Sequence, residues 1–206
     1  MKTILLTLGC CIVLAGCGSS KHVKVAQSMA EMHKPIVMTK TGNDNRPSWC
    51  TQDTSWEKDG SLYYSGGYMG GADYSLSIRL AKSEAIKNLI ESVSIKAREE
   101  FSHSMHGSNM APEDIGRYVT DSVGWTVENL QIGGIYQKGM YYEQVFHPSR
   151  MTPAYNAWVL VEIARADYVR AKVDAAQKLV QKSIKENNAE ARKKAEDILQ
   201  ELKEEI

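Results

Sequence analysis

His103 and His106 stand three positions apart, with Glu99 and Glu100 one helical turn ahead of them. Such spacing can bring two ligands to one side of a metal ion. The set is incomplete, because no cysteine lies near and His147 is the one other candidate within the folded part. A histidine at a helix end also serves simply to face the negative pole of the dipole, so no metal is expected. Gly66-Gly67-Tyr68-Met69-Gly70-Gly71 lies between an expected strand and an expected helix, where phosphate-binding loops sit. It lacks the G-x-G-x-x-G spacing, and Ala72-Asp73 stands where a P-loop needs Lys-Ser/Thr. Asp73 would also repel a phosphate at the helix N-terminus. The glycines are read as a structural turn that supplies positive φ or lets two backbones approach.

Ser55-Trp-Glu-Lys58 matches S-x-x-K and Lys40-Thr41-Gly42 matches K-T-G, two of the marks of penicillin-binding enzymes. The K-T-G element should lie far downstream of the serine, whereas here it precedes it, and neither S-D-N nor G-x-S-x-G is present. The stretch from Trp49 to Tyr168 is also too short for that two-subdomain fold. No nucleophile, base and orienter can be assembled from the remaining residues. The chain is therefore read as a non-enzyme that needs no cofactor.

Cys17 carries chemistry of another kind. Lys2 is followed by an apolar run from Ile4 to Leu14, interrupted by Thr7 and Gly9, and then by Leu14-Ala15-Gly16-Cys17. The run is too short to cross about 30 Å of hydrocarbon, and small residues precede the cysteine, so residues 1–16 read as a signal peptide. Leu-Ala-Gly-Cys is similar to the lipobox of bacterial lipoproteins, in which the cysteine takes a diacylglycerol on its thiol and an acyl chain on its new amine. Anchoring becomes stable once more than one chain is present. The alternative is a plain secretory signal that happens to end in cysteine. Gly18, rather than Asp, follows Cys17, and by resemblance to the Gram-negative sorting rule this implies the outer membrane, with the domain facing the periplasm. Cys10 and Cys11 leave with the signal and Cys17 is lipidated, so Cys50 is the one free thiol.

The elements that must stand behind this anchor follow from composition and period. The 206 residues hold 25 Lys+Arg against 25 Asp+Glu and are 43% hydrophobic, the composition of an ordinary folded domain. Zero net charge leaves no cationic excess for phosphates, which argues against nucleic acid. Residues 17–48 form the lipidated N-terminus and a tether rich in turn residues; as a flexible coil of roughly 30 residues it would span about 30 Å.

An α+β domain follows over residues 49–176. Its small antiparallel sheet has three or four strands, expected at 61–69, 126–136, 140–146 and 155–163, and a short helix is expected over 113–123. A long helix over 73–103 packs on one face, with Asp73 as N-cap and alanines 81, 85 and 97 on the buried stripe for close approach to the sheet. The C-terminus reads as one long helix from Arg165, whose part over residues 177–206 is an amphipathic extension that outruns the globule. Ala191, Ala195, Ile198 and Leu202 form its stripe. They are the candidate surface for self-association or for an envelope partner, with a frayed, solvated tail as the alternative.

The order of Pro47-x-Trp49, Ser65-Gly66-Gly67, Ala81-Lys-Ser-Glu-Ala85-Ile-Lys-Asn-Leu-Ile90 and Tyr155-Asn-Ala-Trp-Val-Leu-Val-Glu-Ile163 resembles the LPP-twenty lipoprotein family of bacterial outer membranes, which includes flagellar-assembly lipoproteins. The resemblance covers roughly residues 47 to 176. It implies a small α+β unit with a helix across an antiparallel sheet, and a structural or assembly role in the envelope without catalysis. A different function class is a periplasmic binding module, in which Tyr63, Tyr64, Tyr68, Tyr141 and Tyr142 line a pocket for a glycan or small apolar ligand.

Overall fold

The computed structural model describes residues 34–42, 45–149 and 151–205. The expected signal peptide, Cys17 and the tether up to residue 33 lie outside them. Among the described residues five strands form one antiparallel sheet: β1 (Ile36–Lys40), β2 (Ser55–Lys58), β3 (Ser61–Gly71), β4 (Tyr136–His147) and β5 (Thr152–Ala164), in the order β1-β4-β5-β3-β2. Four α-helices among the same residues accompany it: α1 (Tyr74–Met105), α2 (Pro112–Gly133), α3 (Arg165–Lys185) and α4 (Ala189–Glu204). The class is α+β, with more strands than the sequence suggested.

The clearest periodicity becomes the longest helix. In α1 every fourth residue from Ser77 to Met105 is buried, and Asp73 caps the start by accepting a 2.7 Å hydrogen bond from the Leu76 N–H. The expected closeness to the sheet is present at Gly66 of β3, where a Cβ would stand 2.1 Å from the Ala85 backbone nitrogen. The glycine run is therefore strand rather than turn, continuing to Gly71, with Gly70 at φ +79° where the β3–β5 register shifts. The hairpin β2–β3 turns through Asp59 and Gly60, whose φ values of 51° and 73° are those of the two-residue turn that matches strand twist.

Three expectations are corrected. Residues 126–136 are not a strand: α2 starts with Pro112 at its first turn and runs to Gly133, burying Tyr118, Ser122, Val123, Thr126 and Leu130 at helical spacing. The tether does not extend to residue 48, because β1 pairs with β4 from Ile36↔Phe146 to Lys40↔Glu143. Finally, the C-terminal helix is broken. At its end Asn187 adopts φ 57°, its N–H bonds to the Ile184 carbonyl, and the Asn188 N–H bonds to the Ser183 carbonyl, the paired bonds of a Schellman motif. The Asn188 side chain then accepts from the Ala191 N–H at 3.0 Å and starts α4. So α4 turns back and packs against α3 and α1 instead of running outward.

Two hydrophobic clusters result. One lies between α1 and the sheet, around Leu62, Ala81, Ala85, Leu89, Val159 and Val161. The other is helical, with Phe101 and Met105 of α1 meeting Tyr118 of α2, Leu179 of α3 and Leu202 of α4. The 32-residue α1 runs through both.

Candidate functional site

Ala191, Ala195, Ile198 and Leu202 share one face of α4, as their spacing implied, but the structure turns that face inward. Their exposures are 0%, 0%, 4% and 7%, and the apolar cover is supplied by this chain's own α1, α2 and α3. A partner of this protein must use another surface.

The tyrosines do not converge either. Tyr64 points to α1, where its hydroxyl donates to Ser92 Oγ at 3.3 Å. Tyr141 is buried on the opposite face of the sheet, with its ring 5.8 Å from that of Trp158. Tyr142 lies against Tyr74 on the helix side and Tyr63 stacks on Trp56 on the other. Alternation along each strand divides them between two faces.

His103 and His106 are exposed at the end of α1, joined by a backbone bond from the His106 N–H to the His103 carbonyl. Among the described residues no group of three His, Cys, Asp or Glu side chains is placed to hold a metal.

Two polar arrangements were not foreseen. The first lies in a cleft of about 300 Å³ between α1, α3 and α4. The Lys172 ammonium, 6% exposed, lies 3.0 Å from Glu100 Oε2 and 3.8 Å from Glu205 Oε2. The Tyr168 hydroxyl donates to the same Glu100 oxygen at 3.0 Å, and Lys172 and Lys96 stand 5.1 and 5.3 Å from the Tyr168 ring centre. Burial pushes the Tyr168 phenol far upward, and the Glu100 carboxylate adds to the shift. Tyr168 is thus a neutral hydrogen-bond donor. The Lys172 ammonium, the Glu100 carboxylate and the Tyr168 hydroxyl answer one another, an arrangement that ties α1 to α3.

The second lies on the face of the sheet away from α1. Segment 45–54 crosses that face and carries Trp49 over Gly139, where a Cβ would stand 3.4 Å from the indole. Arg46 donates to both oxygens of Glu143, at 3.1 and 2.6 Å, and lies 4.5 Å from the centre of the Trp158 ring. Tyr141 donates to Glu143 Oε1 at 3.1 Å. The Arg46 guanidinium is raised chiefly by its hydrogen bond to Glu143. Cys50 sits in the same layer, half-buried, and burial pushes its thiol up to about 12. Cys50 is therefore a protonated packing residue rather than a nucleophile.

No helix among the described residues is long and apolar enough to cross a membrane. Comparison of the chain with known protein families, curated proteins and solved structures returns no match.

Proposed function

We propose that this chain is a lipid-anchored, non-enzymatic envelope protein with a structural or assembly role, of the LPP-twenty kind. It is held to the outer membrane through Cys17 and faces the periplasm. The observation that carries the reading is the Leu14-Ala15-Gly16-Cys17 sequence set 19 positions ahead of the first strand (36 − 17). Covalent geometry limits that leash to about 65 Å when fully extended. Consistent with a non-catalytic role, the buried charges around Lys172 and Glu143 serve to hold elements of the fold together. With the α4 stripe covered from within, contact with an envelope partner or a second copy falls to the sheet edges β1 and β2.

A second reading, the binding module, is favoured by one observation: the cleft beside Tyr168 and Lys172 has an apolar floor of Phe101, Val169 and Leu202.

The test is expression of the full chain in a Gram-negative host fed an alkyne palmitate, followed by membrane separation on a density gradient. Wild type is expected to label and to band with outer membrane, and Cys17→Ser to do neither. Equal labelling and banding of the two would sink the anchoring. A thermal-shift panel of peptidoglycan fragments tests the module, since a ligand of the folded state must raise the midpoint.

A further inference from the structure

Twelve large apolar side chains remain exposed among the described residues, and eight of them gather in one half of the molecule. The register defines that half. Ile36 at the start of β1 pairs with Phe146 near the end of β4, Thr152 opens β5, and Gly71 ends β3 against Tyr155. From β1 come Ile36, Val37 and Met38, and from β3 come Tyr68 and Met69. The tip of the β4–β5 hairpin adds Met151, and the first two turns of α1 add Leu76 and Leu80. Met69 and Met151 are 64% and 77% exposed.

We infer that this end of the domain docks on the surface of a lipid bilayer, its methionine and aliphatic side chains entering the headgroup boundary. The inference rests on the anchoring through Cys17. The occupant is named by where the chain enters: β1 begins at this end, so the 19-position leash from the lipidated cysteine (36 − 17) leads into the apolar half. Anchor and apolar groups thus meet one bilayer together. The groups are spread round an end, on the edge strand β1, the part of β3 beyond its pairing with β2, a hairpin tip and a helix start, an arrangement suited to a plane rather than to a pocket. Flexible Met and Leu side chains and a partly exposed Tyr are the types that settle in the interfacial zone.

A second copy fits less well. The β1–β4 register shifts between Val37 and Thr39, and a bulge of that kind spoils an edge for straight strand pairing. Among the described residues the charged groups there are of both signs, with Lys34, Lys40 and Arg79 against Asp73. Binding should therefore depend chiefly on apolar area.

The test uses residues 18–206, which contain every described element and carry no acyl group, sedimented with vesicles of phosphatidylcholine and, separately, of phosphatidylethanolamine with phosphatidylglycerol. Binding to both is expected, with partition reduced about tenfold by Met69→Ser with Met151→Ser. Ile95→Ser with Ile184→Ser, outside that half, should leave it unchanged. In a Cys50→Ala chain, an environment-sensitive dye on Met151→Cys should shift to the blue on vesicles, and the same dye on Ile184→Cys should not. Three results would overturn the proposal: no binding to either vesicle, equal loss in both double variants, or a dimer in light scattering that the Met69/Met151 variant dissolves. Failure of palmitate labelling at Cys17 would instead remove the anchor, leaving the vesicle result to decide the surface by itself.

Discussion

Replacing Gly66 by alanine puts a methyl group in place of a hydrogen where β3 comes closest to the backbone of α1. The new Cβ would stand 2.1 Å from the Ala85 nitrogen, 2.6 Å from the Ala81 carbonyl oxygen and 2.7 Å from the Ala85 Cα. All three are backbone atoms, so no side-chain rotation relieves the clash. Ordinary contact begins near 3.4 Å, and α1 must rise by about 1.3 Å to restore it. Gly66 is absent from the residues with positive φ, so alanine brings no backbone strain and the effect is steric alone. Overpacking typically costs about 1–3 kcal/mol, and here the lifted helix also leaves Ala81, Ala85 and Leu89 short of their partners in β5; we expect about 3 kcal/mol or more. In a chain of this size that lowers the melting midpoint by about 6–12 °C. The assay is urea unfolding of residues 18–206 followed by far-ultraviolet circular dichroism, with Gly124→Ala as control, since nothing lies within 4 Å of a Cβ there. The control should gain up to about 1 kcal/mol from helix propensity. Because the clash is with backbone, Ala85→Gly should not rescue Gly66→Ala. A loss below about 0.5 kcal/mol, or a full rescue, would refute the argument, because overpacking against rigid backbone cannot be that small.

Leu202→Ala should destabilise the monomer by about 2–5 kcal/mol, measured by the same unfolding, and leave the light-scattering mass unchanged; a change of mass at full stability would restore α4 as an interface. Glu100→Gln strips the nearly buried Lys172 of its closest carboxylate, and because Glu100 is itself 37% exposed and Glu205 stays 3.8 Å from the ammonium, the loss should be about 1–3 kcal/mol; a neutral result in urea would mean that Lys172 reaches water. Cys50, with its thiol raised to about 12 from 9.0, should be alkylated by iodoacetamide at pH 8 far more slowly in the folded chain than in urea. The sign for stability follows: the unfolded chain releases the thiol proton first, so stability is full below pH 9 and falls as pH rises from there toward 12. Equal alkylation rates folded and unfolded would show the thiol to be open.

The helix α1 could be read from sequence because its buried residues recur every fourth position and an aspartate precedes them. The helical α2 hid its period behind Trp125, Thr126 and Val127, whose aromatic and β-branched side chains suggest a strand until Tyr118, Ser122 and Leu130 are placed on the same face. For β1 there was no alternation to find, since Ile36, Val37 and Met38 are all exposed and pairing with β4 comes from 103 or more positions away (143 − 40). The break after α3 did carry a signal: Asn187 and Asn188 are suited to a left-handed C-terminal residue and an N-cap. The apolar stripe that continues in phase on both sides concealed it, and with it the inward turn of Ala191, Ala195, Ile198 and Leu202. The ion pairs Lys172–Glu100 and Arg46–Glu143, each with one buried partner, join residues 72 and 97 positions apart (172 − 100 and 143 − 46), a distance at which spacing rules are silent.

The helix common to both clusters also sets how the protein comes apart. Ala81, Ala85 and Leu89 belong to the sheet cluster and Ala97, Phe101 and Met105 to the helical one, so neither cluster can melt while α1 stays whole and fully packed. Two cores that would otherwise be separate foldons are thereby joined into one cooperative unit. A single calorimetric transition is the consequence, and the amides at the middle of α1 should exchange with deuterium only through global opening, at one shared free energy on both sides of Val93.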